Sequence, residues 1–322
     1  MSGPILLFGA AGQVGRELTA LAQARGVKLR GVTRDIADIT ATDAVAAAVA
    51  DAKPCLIVNA AAYTAVDRAE KEPDLAHAVN AVGAENIARA AAGAKVPLVH
   101  LSTDYVFDGT KTGPYIETDP LAPLGVYGRS KAEGEELVRK ACPNAIILRT
   151  AWVYGPYGAN FLKTMLRLAA SQERLRVVAD QHGNPTATAD IAEAILTVAS
   201  ALTATPTLTT LTDGITATTN TTAVTTGGTF HVAGTGVTTW HGFAAAIVDH
   251  QARWTHKRPP VDAIATADYP TPARRPANSA LDSTLFARTF GFRAKPWPER
   301  MRETIDILLG GPAARGTPEG AP

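Results

Sequence analysis

The chain is short of cysteine, of histidine pairs, of excess charge and of long apolar runs, and each shortage removes a class of protein. Its two cysteines, Cys55 and Cys142, both sit among apolar residues and cannot form a disulfide framework, so a reducing compartment, by default the cytoplasm, is expected. No pair among the seven histidines stands at a metal-ligand spacing, so no metal site is expected. Lys+Arg number 31 against 30 Asp+Glu, a net charge of +1, which gives nucleic acid or an anionic membrane no electrostatic hold. No uncharged apolar run reaches the roughly 18 to 20 residues that a membrane helix needs. Met1-Ser2-Gly3-Pro4 leads into Ile5-Leu6-Leu7-Phe8 without the basic stretch or small-residue cleavage site of a signal peptide. Aromatic residues make up only 6%, but 46% hydrophobic and 19% charged residues are ordinary for a globular enzyme. A length of 322 residues suits one large or two coupled domains.

What the chain does have is alternation. Short apolar runs at Ile5–Phe8, Lys28–Val32, Leu56–Asn59, Leu98–Leu101 and Ala145–Leu148 read as strands. Ala-rich amphipathic stretches at Arg16–Arg25, Asp43–Ala52, Pro73–Ala92 and Ser130–Lys140 read as helices between them. Apolar strands in strand–helix alternation imply a parallel sheet covered on both faces. The expected fold is α/β, a Rossmann-like doubly wound parallel sheet with a smaller α/β substrate-binding lobe. Residues 1–150 would form the dinucleotide-binding domain, and the segments near 187–202 and 229–233 would return to it as helix Asp190–Leu202 and strand Thr229–Val232. Residues 151–309 would form mainly the lobe, interrupted by a Thr-rich, low-complexity surface insertion at 203–228. The Gly-, Pro- and Ala-rich stretch 310–322 reads as a disordered tail.

Gly9-Ala10-Ala11-Gly12-Gln13-Val14-Gly15 follows the first strand and opens the first helix. Glycines here permit a tight turn, close backbone approach to a pyrophosphate and tight helix–strand packing, while the helix N-terminus favours the phosphate charge. The spacing is G-x-x-G-x-x-G rather than the G-x-G-x-x-G of many dehydrogenases. At the end of the second strand, an acidic residue would take the ribose 2′-hydroxyl of NAD, whereas an arginine would take the 2′-phosphate of NADP. The strand ends Thr33-Arg34, with Asp35 one step late, which favours NADPH with NADH as the second option; Arg34 as a solvated loop charge is the alternative. Asp38 and Ile39, just beyond, are counted with the cofactor contacts.

Tyr127 is the one tyrosine of seven with a lysine, Lys131, four residues on. At the start of a helix this spacing puts both side chains on one face. Ketone reduction needs a proton donor beside the carbonyl oxygen, and an ammonium beside a phenol favours the phenolate and lowers its pKa. A lone Tyr-x-x-x-Lys also arises as a surface pair, but Ser102-Thr103 ends the fourth strand at the carboxyl edge where such sheets bind ligands. The Thr103 hydroxyl there can hold the carbonyl oxygen, or simply cap a turn.

Taken in order, these residues resemble the dTDP-4-dehydrorhamnose reductase family of the extended short-chain dehydrogenase/reductase superfamily. The resemblance runs from Ile5 to about Leu309, apart from the Thr-rich insertion. It is carried by Leu7–Gly15, Val58–Asp67, Ser102–Gly109, Val126–Lys131, Arg149–Tyr154, Asp180–Thr186 and Arg275–Ser279. It implies reduction of the 4-keto group of dTDP-4-dehydro-6-deoxy-L-mannose to dTDP-L-rhamnose. The family's catalytic Thr, Tyr and Lys fall on Thr103, Tyr127 and Lys131, and Lys131 would also grip the nicotinamide ribose. Ala60, Ala61, Ala62 and Asn80 would approach the cofactor. Thr64, Tyr105 and Trp152 would line the sugar pocket, with Gln181 and Arg275 towards the nucleotide-sugar lobe. Trp152 also reads as a core aromatic, and Asn80 as a cap or bridge. Some members are described as joining dimers through Mg²⁺ held by glutamates; Glu17 matches one such position, but its partners cannot be placed, so a homodimer is allowed and Mg²⁺ has little support. An epimerase or dehydratase on the same fold is the rival enzyme, although Tyr105 stands where a dehydratase places its acidic residue after Thr-Asp. A non-catalytic regulatory subunit is the rival outside enzymes, and the intact Thr103, Tyr127 and Lys131 argue against it.

Overall fold

The computed structural model describes residues 3–310 apart from 204–208, 211–215 and 218–226. Its centre is a six-stranded sheet of β1 (Ile5–Phe8), β2 (Leu29–Val32), β3 (Leu56–Asn59), β4 (Leu98–Thr103), β5 (Ile146–Thr150) and β6 (Gly228–His231). The order is β6-β5-β4-β3-β1-β2, and every pairing is parallel. Successive side chains of a strand point to opposite faces, and both faces here are covered. Leu6 and Phe8 of β1 enter one apolar cluster with Val45, Ile87 and Val138, while Ile5 and Leu7 enter another with Leu18, Ile191 and Ile195. That is why β1 reads as an unbroken apolar run.

The helices longer than five residues are α1 (Gln13–Ala24), α2 (Thr42–Ala52), α3 (Gly83–Ala94), α4 (Val126–Ala141), α5 (Phe161–Ser171), α6 (Thr188–Thr203), α7 (Trp240–Thr255), α8 (Thr284–Phe290) and α9 (Trp297–Leu309). In α1 the buried Gly15, Leu18 and Ala22 recur at helical spacing, and α6 packs against this helix. The expected helix Pro73–Ala92 is interrupted: Pro73–His77 is α-helical, Ala78–Val82 forms a π turn, and α3 follows. Its apolar periodicity runs through the interruption, so the sequence carries no mark of it. Helix α4 begins at Val126, ahead of the expected Ser130, and takes Tyr127 into its first turn.

The chain leaves β1 to build β2 on one side and returns to build β3 on the other, so the order reverses beside β1. Ligands of open α/β sheets bind at such a switch point, outside the carboxyl ends of the strands. Over this edge lies the lobe, with a core of Tyr154, Leu162, Met165, Phe243, Ile247, Met301 and Ile305. It contains two-stranded pairings: Leu175–Val178 with Val261–Ile264, His182–Gly183 with Thr238–Thr239, and Val153–Tyr154 with Thr186–Ala187. Of the Thr-rich insertion, Thr209–Thr210 pairs with Thr216–Ala217, and most of the rest lies outside the described residues, as does the tail beyond Gly310. Among the described residues no helix is long and apolar enough to cross a membrane.

Candidate active site

The glycine turn is shaped by what its residues omit. Gly9 has φ +82°, and a Cβ on it would lie 2.5 Å from the Ala61 nitrogen; one on Gly15 would lie 2.2 Å from the Gly9 oxygen. Both close approaches draw α1 and the start of the 60–62 segment against the end of β1. Gly12 caps α1 with no side-chain hydrogen bond, which leaves the amides of the first helical turn for a ligand. Val14 packs into the core cluster beneath, while Gln13 accepts from Asn160 Nδ2 at 2.9 Å and so ties the turn to the lobe. Ala60 to Ala62 leave β3 beside Gly9, held by Ala60 N–H to the Phe8 carbonyl at 3.0 Å and Ala61 N–H to Asn59 Oδ1 at 3.0 Å.

At the end of β2 the Arg34 side chain is exposed and its Nε meets Asp38 Oδ2 at 3.0 Å. Asp38 also accepts from the Thr40 amide and hydroxyl, which hold its pKa below the usual value. The Thr33 hydroxyl lies beside the Asp35 carboxyl and holds its pKa below the usual value. Ile39 is buried, and its side chain closes on the Cα of Gly83. Asn80, in the π turn, is fully bonded: it accepts from Tyr63 N–H at 2.8 Å and donates to the Tyr63 carbonyl and Ser130 Oγ, each at 3.0 Å. It bridges the loop after β3 to α4, and single π turns recur at functional sites.

Thr103, Tyr127 and Lys131 converge where β4 ends and α4 begins. The approach depends on Gly128, where a Cβ would lie 2.2 Å from the Tyr105 carbonyl, and on Gly134, where one would lie 2.1 Å from the Asn80 carbonyl. Glu70 Oε1 accepts from Val126 N–H at 2.8 Å and fixes the start of the helix, a favourable place for a carboxylate. The Thr103 hydroxyl accepts from Tyr105 N–H at 3.2 Å, donates to Asp104 Oδ1 at 2.9 Å, and lies close enough to the Tyr127 phenol to favour its ionised form. It is thus both a turn cap and a group facing the phenol. Tyr105 meets the Tyr127 ring edge-on, with centroids 5.5 Å apart.

The charge relation within the pair differs from the sequence expectation. Burial pushes the Tyr127 phenol up to about 12, and Lys131 is not among the groups that pull it down. The Lys131 ammonium instead donates to the Leu101 carbonyl at 2.7 Å. Burial lowers Lys131 to about 8, and Glu135, one turn on, pulls it back up. Helical spacing put the two residues on one face but did not fix where the ammonium points. Glu135 is itself buried, bound by Arg149 at 2.7 and 2.8 Å and by Ser102 Oγ at 2.6 Å. Sequence reading passed over Glu70, Asp104, Gly128, Gly134 and Glu135, although Gly128 lies within the Tyr-x-x-x-Lys segment and Asp104 adjoins Thr103.

The expected sugar-side residues are held mostly by long-range partners. Thr64 is exposed on the loop after β3. Trp152 has a left-handed backbone, φ 46°, and its ring stacks on Trp240 with centroids 3.6 Å apart. Its Nε1 donates to Ser279 Oγ at 3.0 Å, and Gly183 lies so close to the ring that a Cβ would come within 2.4 Å of it. A non-glycine residue held in this region marks a place where surrounding structure overrides local preference. Gln181 is buried, with Nε2 donating to Thr266 Oγ1 at 3.0 Å. Arg275 makes a two-pronged ion pair with Asp67, at 2.9 and 2.8 Å, which crosses from the lobe to the loop after β3.

Among the described residues no three His, Cys, Asp or Glu side chains are grouped to hold a metal ion, and Glu17 accepts from Thr188 Oγ1 at 2.7 Å. The sequence profile of the family described as RmlD substrate binding domain matches residues 3–309. A dTDP-4-dehydrorhamnose reductase of Sinorhizobium fredii is 44% identical over 305 residues, 95% of this chain and 97% of that protein. This chain belongs to the dTDP-4-dehydrorhamnose reductase family. A crystal structure of the Clostridium acetobutylicum reductase has a TM-score of 0.83 at 36% identity and covers 95% of this chain and 99% of that one. The Bacillus anthracis reductase in complex with NADP also gives 0.83, at 33% identity, covering 95% of this chain and 100% of that one. The family consists of NAD(P)H-dependent oxidoreductases acting on a keto group, and the Rossmann-like parallel sheet is common to it.

Proposed function

We propose that this chain catalyses the NADPH-dependent reduction of the 4-keto group of dTDP-4-dehydro-6-deoxy-L-mannose to dTDP-L-rhamnose, with Tyr127 as the proton donor. The observation that carries the chemistry is the convergence of Thr103, Tyr127 and Lys131 at the carboxyl end of β4, on the same sheet edge as the glycine turn with open amides that follows β1, two strands away. Membership of the family carries the substrate's name.

The residues fit a nicotinamide dinucleotide. The first-turn amides of α1 suit its diphosphate, Thr33 and Arg34 suit a 2′-phosphate, and side chains on Gly9 or Gly15 would close the turn. Ala60 to Ala62, which have little bulk, flank it, with Asp38, Ile39 and Asn80 shaping the surrounding loops. When bound, the cofactor supplies a hydride to the carbonyl carbon. A phenol at about 12 stays protonated at neutral pH, which suits donation to the carbonyl oxygen. The phenolate left behind needs a cation, and an ammonium with one donor spent on Leu101 keeps two, enough for a ribose hydroxyl and the phenolate. Thr103 faces the carbonyl oxygen, while Tyr105, Trp152 and Thr64 bound the sugar, and Gln181 and Arg275 lie towards its nucleotide. The enzyme would act in the cytoplasm on a nucleotide sugar.

The test is to follow NADPH oxidation with a panel of 4-keto nucleotide sugars. Stoichiometric consumption with the dTDP substrate is expected, and Tyr127→Phe should lower kcat by about 10²- to 10⁴-fold with NADPH binding kept. Redox-neutral turnover, or an unimpaired Tyr127→Phe enzyme, would refute the proposal.

A further inference from the structure

A buried carboxyl lies directly behind the reacting groups, and the mechanism above leaves it idle. Asp104 is 2% exposed, its Oδ1 is 2.9 Å from Thr103 Oγ1, and among the described residues its Oδ2 makes no hydrogen bond, although the Ser279 hydroxyl lies close enough to favour the ionised carboxyl. A buried acceptor without a donor is costly and calls for an explanation. We infer that Asp104 is a positioning residue that decides which way the Thr103 hydroxyl presents its proton, and so whether that hydroxyl can donate to the substrate's carbonyl oxygen. The inference rests on the reductase function proposed above.

A threonine hydroxyl has one proton and two lone pairs. One lone pair takes the Tyr105 N–H. While Asp104 is ionised it can only accept, so the single Thr103 proton points to it. The remaining lone pair then faces Tyr127 and draws the phenol's proton away from the carbonyl. Once Asp104 carries a proton, its own O–H can donate to Thr103. The Thr103 proton is released into the cleft, and Thr103 and Tyr127 can both donate to the carbonyl oxygen, the arrangement that stabilises charge developing there. No proton is consumed at Asp104; it redirects the one on Thr103.

The surroundings allow Asp104 to change state in an accessible range. Burial raises it to about 6, against the pull of the Ser279 and Thr103 hydroxyls and the backbone amides. The titratable groups facing it are Tyr105 on its own turn and Tyr127 on α4, both phenols raised by burial. From the lobe it meets Ser279, and the charges of Arg275 and Asp67 reach Tyr105. Among the described residues no cation sits beside Asp104 to hold it ionised.

The experiment measures single-turnover hydride transfer from NADPH in the intact enzyme between about pH 5.5 and 7.5. With the carboxyl neutral below about 6 and ionised above, the native rate should fall roughly tenfold or more across this range. Asp104→Asn, which keeps the shape and cannot ionise, should be flat to within about twofold, with NADPH binding and the KM for the nucleotide sugar little changed. Thr103→Val, slow but folded by thermal midpoint, should be flat as well, because the carboxyl acts only through that hydroxyl. If Asp104→Asn fails to fold, the Thr103→Val profile decides. Turnover whose pH profile is already flat in the native enzyme, or survives either substitution, would overturn the inference alone. No turnover at any pH would instead overturn the proposed function.

Discussion

The two halves of the site are built by opposite means. The half proposed to face the cofactor is made of omissions: Gly9, Gly12, Gly15 and Ala60 to Ala62 bring backbone within reach and place little side-chain bulk in front of it. The half proposed to face the sugar is made of side chains, each committed to a distant partner. Trp152 bonds Ser279, Gln181 bonds Thr266, and Arg275 bonds Asp67, 208 positions away. Omissions act over a few residues and tolerate no addition, whereas commitments act across the cleft and can be loosened one at a time. Substitutions on the first half should therefore fail abruptly, and those on the second by degrees.

The largest effect that would test this contrast is expected at the glycine turn. Gly15→Val would push a side chain into the Gly9 carbonyl, only 2.2 Å from where a Cβ would stand. NADPH titration should show affinity lowered by about 100-fold, against a smaller change in the KM of the sugar in saturating NADPH; comparable losses on both sides would erase the distinction. Arg275→Ala comes next. It removes a two-pronged, half-buried ion pair, so the KM for the nucleotide sugar should rise about tenfold with NADPH affinity unchanged. Asp67→Asn should give a smaller effect in the same direction, and an effect on NADPH instead would show that the clasp serves the other half. The smallest effect is expected at Arg34, whose exposed side chain meets only Asp38 among the described residues. Arg34→Ala should shift the NADPH-over-NADH ratio of kcat/KM by about fivefold towards NADH, and an unchanged ratio would leave Arg34 as a solvated charge.

The same contrast governs how much the sequence revealed. The strands were legible because four-residue apolar runs buried on both faces, such as Ile5–Phe8, stand out between polar turns. The glycine turn and the Tyr127–Lys131 spacing were legible because both act within one or two turns of helix. The break at Ala78–Val82 was not, since Asn80 earns its place through Tyr63 and Ser130 rather than through its neighbours. The direction of the Lys131 ammonium was not legible either, because it depends on a carbonyl of β4 thirty positions away. Asp104 stood in plain view beside Thr103, but its burial is a property of the packed lobe. The Asp67–Arg275 clasp joins two segments that nothing local connects.

The stacked pair Trp152 and Trp240 has an optical consequence. Two indoles 3.6 Å apart and within 5° of parallel share their excited states. One belongs to the segment that leaves the central sheet after β5, and the other opens α7 of the lobe. Near-ultraviolet dichroism and intrinsic emission would therefore register any parting of these two segments, which gives the enzyme a built-in, label-free gauge of how its lobe rides on the sheet during turnover.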